Sequence, residues 1–398
     1  MAVASRRDTG RALAKILLPT LAKGVIVRRR SATALAEKVQ ADATAIDTMK
    51  SLRERYGPAP LRLRVTGRSV ALVLDPADVG RLLAASPQPF ALATKEKRAA
   101  LNHFQPDGVL ASRGEERERR RRFNEEALRP EKIDVESVVL DEADLLTRHV
   151  TSTGELTWDA FAQTWWRAAR RIVLGSGARD DEALTDDLKT LRQNANWAYL
   201  HPRRNRLRHR FERRLREHLE RGERGSLAGV GSPDELVGQA PHWLFAFDAA
   251  GIVTMRALAM GGSGPAGVLE SARLWPTTPV ILRESTAPTK WRCTWLPEGT
   301  TFIVFTPYFH RQFGDEYRPE LWPTSEPALV PFSGGPGVCP GRDLVLVSGG
   351  LMLDTLREHL AVPTLGPPLP ATLNHFALTL PATRKAGAVR DPDVGHRV

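Results

Sequence analysis

The stretch Phe332-Ser-Gly-Gly-Pro-Gly-Val-Cys339-Pro-Gly341-Arg342 constrains this chain more than any other. It sets one cysteine in a glycine-rich loop, directly before an apolar helical pattern from Leu344 to Leu356. A cysteine at a helix N-terminus meets free backbone N–H groups and the positive end of the helix dipole, which favour thiolate over thiol. A thiolate held that way suits a bond to a soft metal. Glycines at 334, 335, 337 and 341 leave room for something flat and bulky against the backbone. The plainer reading is a buried structural cysteine after a Gly/Pro turn, and for a cysteine alone it would be preferred.

The chain has 398 residues, 42% hydrophobic and 26% charged, which is ordinary for a globular enzyme. Two cysteines, Cys293 and Cys339, cannot build a disulfide framework and fit a reducing cytoplasm. No apolar run reaches the roughly 18–20 residues of a membrane span, so no integral anchor is expected. The net charge of +11 rests on arginine, with 47 Arg against 10 Lys. Its two clusters, Arg117 to Arg122 and Arg203 to Arg216, are interleaved with glutamates in the manner of solvated helix faces. With no zinc-finger spacing, helix-turn-helix pattern or aromatic stacking motif beside them, nucleic acid is excluded as the partner, and an acidic protein or ligand carboxylates are preferred.

Along the chain, residues 1–45 are Arg/Ala-rich and read as a leader segment, partly disordered. Residues 46–398 read as a single domain. A short helix over 47–56 precedes a hairpin of Leu61 to Val65 and Val70 to Leu74 around Gly67-Arg68. The pattern is then mostly helical through Leu219, with Trp165, Trp166 and Ile172 as a core stripe. Ser232, Pro233, Asp234 and Glu235 form a helix start, and the spacing predicts one helix to Met260, kinked at Pro241. Its second half is apolar nearly all round, as in a buried central helix. Short strands follow over Val280 to Arg283, Trp291 to Trp295 and Thr301 to Thr306, with a last one over Thr372 to Leu380. The fold class is mainly α with a small β region.

The spacing Phe-x-x-Gly-x-x-x-Cys-x-Gly, complete at Phe332, Gly335, Cys339 and Gly341, resembles the haem-thiolate loop of cytochromes P450, soluble bacterial type. The resemblance spans about residues 47 to 380. Its second signature is Glu270-Ser-Ala-Arg273, 69 residues before the cysteine and followed by Leu274-Trp275-Pro276. In that family the pair anchors the loop under the haem. The arginine that usually completes it is missing, since Pro319-Glu320-Leu321-Trp322 has leucine there. Gly114, Arg117 and Arg121 match the family's propionate-binding helix, and Arg283 matches another propionate contact. The usual basic residue two before the cysteine is absent, with Gly337 in its place. On the central helix, Ala250-Gly251-Ile252-Val253-Thr254 keeps the glycine that makes room for oxygen and the threonine of the proton relay, but holds valine at the acid position. Only 15 residues separate Thr254 from Glu270, and they include Gly261-Gly-Ser-Gly-Pro-Ala-Gly267, an apparent internal deletion where the family has further helix.

The resemblance implies haem b (iron protoporphyrin IX) between the central helix and the cysteine loop. Cys339 would ligate the metal, with Arg117, Arg121, Arg283, Phe332, Gly335 and Gly341 around the cofactor and Gly251 and Thr254 as catalytic residues. It implies a cytoplasmic monooxygenase that inserts one atom of O2 into a small apolar organic substrate. Electrons would come from a ferredoxin or flavodoxin with its NAD(P)H-dependent reductase. Phe90, Phe245 and Phe247 are candidates for the substrate pocket, whereas His310 and Cys293 read as structural. Two alternatives stay open: a peroxide-using or ligand-binding haem-thiolate protein, and a degenerate paralogue with impaired haem binding.

Overall fold

A computed structural model describes residues 2–292 and 294–385, so Cys293 lies outside the described residues. The first helices are α1 (Arg6–Ala12), α2 (Leu18–Lys23), α3 (Arg30–Lys38), α4 (Ala41–Tyr56), α5 (Pro76–Ala84) and α6 (Lys95–Leu101). The helical body follows with α7 (Gly114–Ala127), α8 (Val135–Thr153), α9 (Trp158–Leu174), α10 (Glu182–Ala195) and α11 (Asn205–Arg221). Then come α12 (Pro233–Leu236), α13 (Ala240–Ala259), α14 (Gly264–Leu274), α15 (Thr306–His310) and α16 (Arg342–His359). Asp134, Thr157 and Asp181 start α8, α9 and α10, each side chain accepting a backbone N–H of the first turn. Each such cap contributes about 1 kcal/mol.

The hairpin forms as expected from β1 (Leu61–Val65) and β2 (Arg68–Leu72), with Leu61 opposite Leu72. With β3 (Phe90–Ala91), β5 (Val280–Ser285) and β8 (Thr301–Phe305) it makes a five-stranded sheet ordered β1-β2-β8-β5-β3. Two-stranded ribbons pair β4 (Glu155–Thr157) with β10 (Thr379–Pro381), β6 (Thr289–Trp291) with β7 (Thr294–Leu296), and β9 (Leu360–Ala361) with β11 (Thr383–Arg384). The expected last strand is thus confined to its end, because a 3₁₀ turn occupies His375–Ala377. Helices α8, α9, α13, α14 and α16 pack on one another as the helical core, with Trp165 and Ile172 inside it.

Two expectations are corrected. Residues 1–45 are no loose leader: α1 to α3 are helical, and Ala4, Ala12 and Ile16 are buried in the sheet-side core with Met49, Leu61 and Leu63. Asp8 ties this segment to α4, accepting the Tyr56 hydroxyl at 2.7 Å and pairing with Arg55. Those bonds, with the Ser5 hydroxyl, hold its carboxyl at about 2. Second, no single helix runs from Ser232 to Met260. Ser232 caps only the four-residue α12, and α13 restarts at Ala240. Pro241 then sits in a first turn, where a missing N–H costs nothing, rather than at a kink.

The short segment after the central helix, where the sequence reads as an internal deletion, forms a closed corner. α13 and α14 meet at a bend of 101° across a turn of residues 260–263. Asp354 of α16 accepts the Gly264 amide at 2.8 Å, and Pro265 lies in the first turn of α14. A Cβ at Gly262 would stand 2.4 Å from the Tyr317 hydroxyl, and one at Gly350 would stand 3.1 Å from Gly264 and Pro265. The glycines replace the packing of a longer segment by letting backbones approach.

Candidate functional site

The cysteine loop is closed on itself and fixed from below. Phe332 accepts the Cys339 amide at 2.9 Å, and Cys339 accepts the Arg342 amide at 3.3 Å, bringing the cysteine to the start of α16. Gly335 has φ +56°, and a Cβ there would lie 2.3 Å from the Leu83 carbonyl, so the loop requires glycine at this point. Gly341 is the N-terminal boundary residue of α16, and Phe332 packs half-buried on the helical core. The expected preference for thiolate is not supplied by the protein's own groups. Burial pushes the Cys339 thiol up, and the hydrogen bond with the Gly341 backbone and the charges of Arg121 and Arg342 only partly oppose it.

Three arginines converge on this loop. Arg117 of α7 donates to the Pro336 carbonyl at 3.3 Å, and Arg121, one turn on, donates to Val338 at 2.6 Å while pairing with Glu125. Arg283 of β5 reaches Ser86 Oγ at 2.9 Å and Ser333 Oγ at 3.1 Å. Arg117 and Arg283 are only 6% and 2% exposed, yet all the partners they bond among the described residues are neutral. The Arg117 Nε is buried without a partner. Burial, then the charge of Arg117, pushes Arg283 down to about 10. The absence of a basic residue at 337 also has a physical explanation. A Cβ on Gly337 would stand 2.8 Å from an Arg283 terminal nitrogen, so Arg283 fills that place from another strand.

The Glu270–Arg273 pair is fully buried and fully bonded. Arg273 holds Glu270 through two bonds of 2.9 and 2.6 Å and donates to the carbonyls of His310, Gly314 and Glu316. Leu321 leaves no third charge, and the remaining acceptor capacity of Glu270 is met otherwise. The Arg318 amide donates at 2.7 Å and Trp322 Nε1 at 3.1 Å. His310 carries this network to the cysteine loop. Its Nε2 accepts the Val330 amide at 3.2 Å, which leaves the proton on Nδ1 for the Arg273 carbonyl, also at 3.2 Å. Burial, with Arg273 and Arg311 nearby, lowers its pKa to about 3. His310, expected as structural, is therefore the link between ion pair and loop. Its sequence neighbourhood shows no sign of this, because the partners are backbone atoms 20 and 37 residues away.

On α13 the two expected catalytic residues pack against neighbouring helices. Gly251 faces α9: a Cβ there would lie 2.6 Å from Trp165 Cδ1, and the Trp165 indole donates to the Phe247 carbonyl at 2.7 Å. Thr254 is fully buried, bonds back to the Ala250 carbonyl at 2.9 Å, and lies where Gly349 of α16 leaves space for it. Both positions are turned into the helix bundle. The partly exposed face of α13 lies one to two turns earlier, at His242, Phe245, Ala246, Asp248 and Ala249. Spacing of 242, 245, 246 and 249 marks one helix face, but small residues and a histidine there give no apolar signal. His242 bonds Gln105, and burial, with Arg192 nearby, pushes it down to about 4. Asp248 pairs with Arg192 at 2.5 Å. Of the pocket candidates, Phe245 is on this face, whereas Phe247 packs on Trp165 and Phe90 packs on Trp291 and Phe302 in the sheet core.

No protein-family model matches the chain. Among solved structures, cyanobacterial CYP120A1 with retinoic acid bound superposes with TM-score 0.67, covering 84% of this chain and 94% of that one at 15% identity. The fold is that of the cytochromes P450. A six-coordinated P450 from Thermus thermophilus agrees, with TM-score 0.66, 85% and 98% coverage and 19% identity. In sequence, the cytochrome P450 monooxygenase milC of Cordyceps militaris is 30% identical over 122 residues. That match takes in 25% of this chain and only 23% of the relative's length. Within the P450 fold, Cys339 stands apart from other metal-binding side chains: no group of three or more His, Cys, Asp or Glu among the described residues could hold an ion.

Proposed function

We propose that this protein is a haem-thiolate monooxygenase. The observation that carries the reading is the cysteine loop packed against two buried arginines, Arg117 and Arg283, that have no anionic partner. A single thiolate would suit an iron whose remaining ligands come from a macrocycle, and two guanidiniums without anionic partners would suit its carboxylates. When bound, haem b supplies the activation of dioxygen and the transfer of one oxygen atom to an apolar substrate. The chain's own part is to hold and exclude. Cys339 would hold the iron as thiolate, since a cation against the sulfur would reverse the cost of its burial. Arg121 fixes the Val338 carbonyl, Gly335 and Phe332 shape the loop, and Gly341 starts the helix behind the cysteine. Phe245, Ala246 and Ala249 present a small, largely apolar wall for a substrate.

Electrons come from a separate ferredoxin or flavodoxin with its reductase, and the setting is the cytoplasm, as two cysteines in 398 residues support. Much of the arginine charge is already answered within the protein, by Asp181 and Asp187 for Arg214 and Arg210 of α11, and by Glu116 for Arg119 of α7. Those pairs are already counted in the net charge of +11, and it is this uncompensated excess that is left to attract an acidic partner.

A second reading is favoured by the packing of Gly251 and Thr254: the acid–alcohol relay is not built on this face, and hydrogen peroxide would bring its own protons. The test is the spectrum of haem-supplemented protein, reduced and exposed to carbon monoxide. A strongly red-shifted Soret band that disappears in Cys339→Ala supports thiolate ligation, and its absence in the wild type rejects the proposal. Product formed with peroxide but not with ferredoxin, reductase and NAD(P)H selects the second reading.

A further inference from the structure

The helices α2 and α3 dock on the body around a small cavity of about 40 Å3. Its polar lining is unbalanced. Lys23, Arg28 and Arg256 bring three positive charges, and Asp42 brings one negative. Lys23 spends itself on both oxygens of Asp42, at 2.6 and 2.8 Å. The second of those oxygens also accepts the Thr372 hydroxyl, and the Thr372 hydroxyl accepts the Asp42 amide. Arg28 donates to the carbonyls of Gly24 and Thr277, and Arg256 to those of Trp275 and Leu373. Glu37, the nearest other carboxylate acting on Arg256, is taken by the Asn374 amide. Both guanidiniums thus rest on neutral acceptors, Arg256 buried and Arg28 half-buried.

Two polar atoms of the lining have no partner at all. They are the Thr33 hydroxyl and Arg256 Nε, on residues 3% and 8% exposed. Buried polar atoms are rarely left unbonded, and each costs about 1–3 kcal/mol when it is. Arg Nε can only donate, and the Thr33 hydroxyl is free to donate. The occupant that completes the site must accept hydrogen bonds from several directions and carry negative charge. A water could donate to the Thr33 hydroxyl or to a second lone pair of a carbonyl, but it would bring no negative charge to the guanidiniums. The volume exceeds the roughly 10–15 Å3 that one water needs, and it excludes a large organic anion.

We propose that this cavity is a binding site for a small monovalent anion, chloride, held by Thr33, Arg28, Arg256 and Lys23. It joins α2 and α3 to the last turn of α13 and to the Trp275 backbone. The N-terminal helices are then clamped to the haem-side body by an ion whose occupancy follows its concentration. This inference stands apart from the proposed oxidation chemistry and would hold for a protein of any activity with these residues.

The test is thermal unfolding of the full-length protein, followed by far-ultraviolet circular dichroism at fixed pH and ionic strength, as sodium gluconate is replaced by sodium chloride. The expected result is a saturable rise in Tm of about 1–3 °C, reproduced by bromide. Thr33→Val, which removes the hydroxyl without altering charge or size, loses most of the rise while keeping the fold. A Tm that follows ionic strength alone, identical in gluconate and chloride, overturns the site. Crystals soaked in bromide give an independent reading: anomalous density between Thr33 and Arg256 is expected, and an ordered water there with no bromide rejects the proposal. Neither readout uses the haem, so failure here leaves the functional reading untouched.

Discussion

The cysteine loop and the central helix are built by opposite rules. On the cysteine side every departure from the family pattern is made good by a residue from elsewhere. Arg283 occupies the space that Gly337 leaves, and Trp322 Nε1 with the Arg318 amide serve the carboxylate that Leu321 cannot. On the central helix the familiar residues are present but rotated away, Gly251 onto Trp165 and Thr254 onto Gly349. A loop is defined by its own hydrogen bonds, so its motif carries its geometry. A helix presents a different face every 100°, so a motif on it carries no geometry until its packing is known. Here the Trp165 indole on the Phe247 carbonyl sets the rotation.

The largest effect expected from breaking the comparison lies at the ion pair under the loop. Arg273→Met leaves Glu270 buried with its charge uncompensated and should cost about 3–5 kcal/mol. Urea unfolding monitored by tryptophan fluorescence would show it as a lower midpoint at unchanged slope. A loss below about 1 kcal/mol would mean that the neutral donors Trp322 and Arg318 suffice, and the cysteine side would no longer be the rigid one.

Next in size is the pH response of His310. Its folded pKa of about 3 lies below the unfolded value of about 6.5, so the unfolded chain takes up the proton first. Stability from this residue is complete above about pH 6.5 and is lost as pH falls towards 3, by at most about 1.4 kcal/mol per unit. His242 and His375 are lowered by burial as well, so the informative quantity is the difference between wild type and His310→Gln. That difference should shrink from pH 7 to pH 4. A constant difference would remove His310 from the path between ion pair and loop.

Much of the cysteine side could be read in the sequence for the reason just given. Cys339, Gly335, Phe332 and the Glu270–Arg273 spacing are local patterns, and the structure brings them together as their order suggests. The arginines were legible by position, although not their lack of carboxylate partners, which depends on segments far apart in the chain. The packing of the N-terminal segment is not legible because its buried residues, Ala4, Ala12 and Ile16, are mostly too small to mark an apolar stripe. The closure of the short corner between α13 and α14 is not legible, because glycine reads as flexibility in a sequence, whereas here it permits contact.

A third test separates cofactor binding from folding on the cysteine side. Arg283→Leu exchanges a buried cation without an anion for an apolar side chain. The haem-free protein should be unchanged or more stable by about 1 kcal/mol, because the desolvation cost disappears. Haem retention, measured as the rate of transfer to apomyoglobin, should weaken by about tenfold. Equal retention in both proteins would take Arg283 out of the cofactor site and leave it a strut between Ser86 and Ser333.

The smallest effect is expected where the family pattern predicts a large one. Thr254→Val exchanges a hydroxyl bonded only to its own helix for a methyl of the same volume, at a cost below about 1 kcal/mol. In the family pattern this residue organises proton delivery, so its loss would lower the product formed per NAD(P)H. In this structure the side chain lies against Gly349 inside the bundle, so the yield of product per NAD(P)H should change by less than about twofold. The ratio of product to NAD(P)H consumed, compared in wild type and Thr254→Val, decides it. A fall of tenfold or more, with peroxide making up the difference, would require α13 to turn by most of a residue step in the working enzyme. The Trp165 indole would then have to release the Phe247 carbonyl, which places the control of oxygen chemistry on α9 rather than on α13 itself.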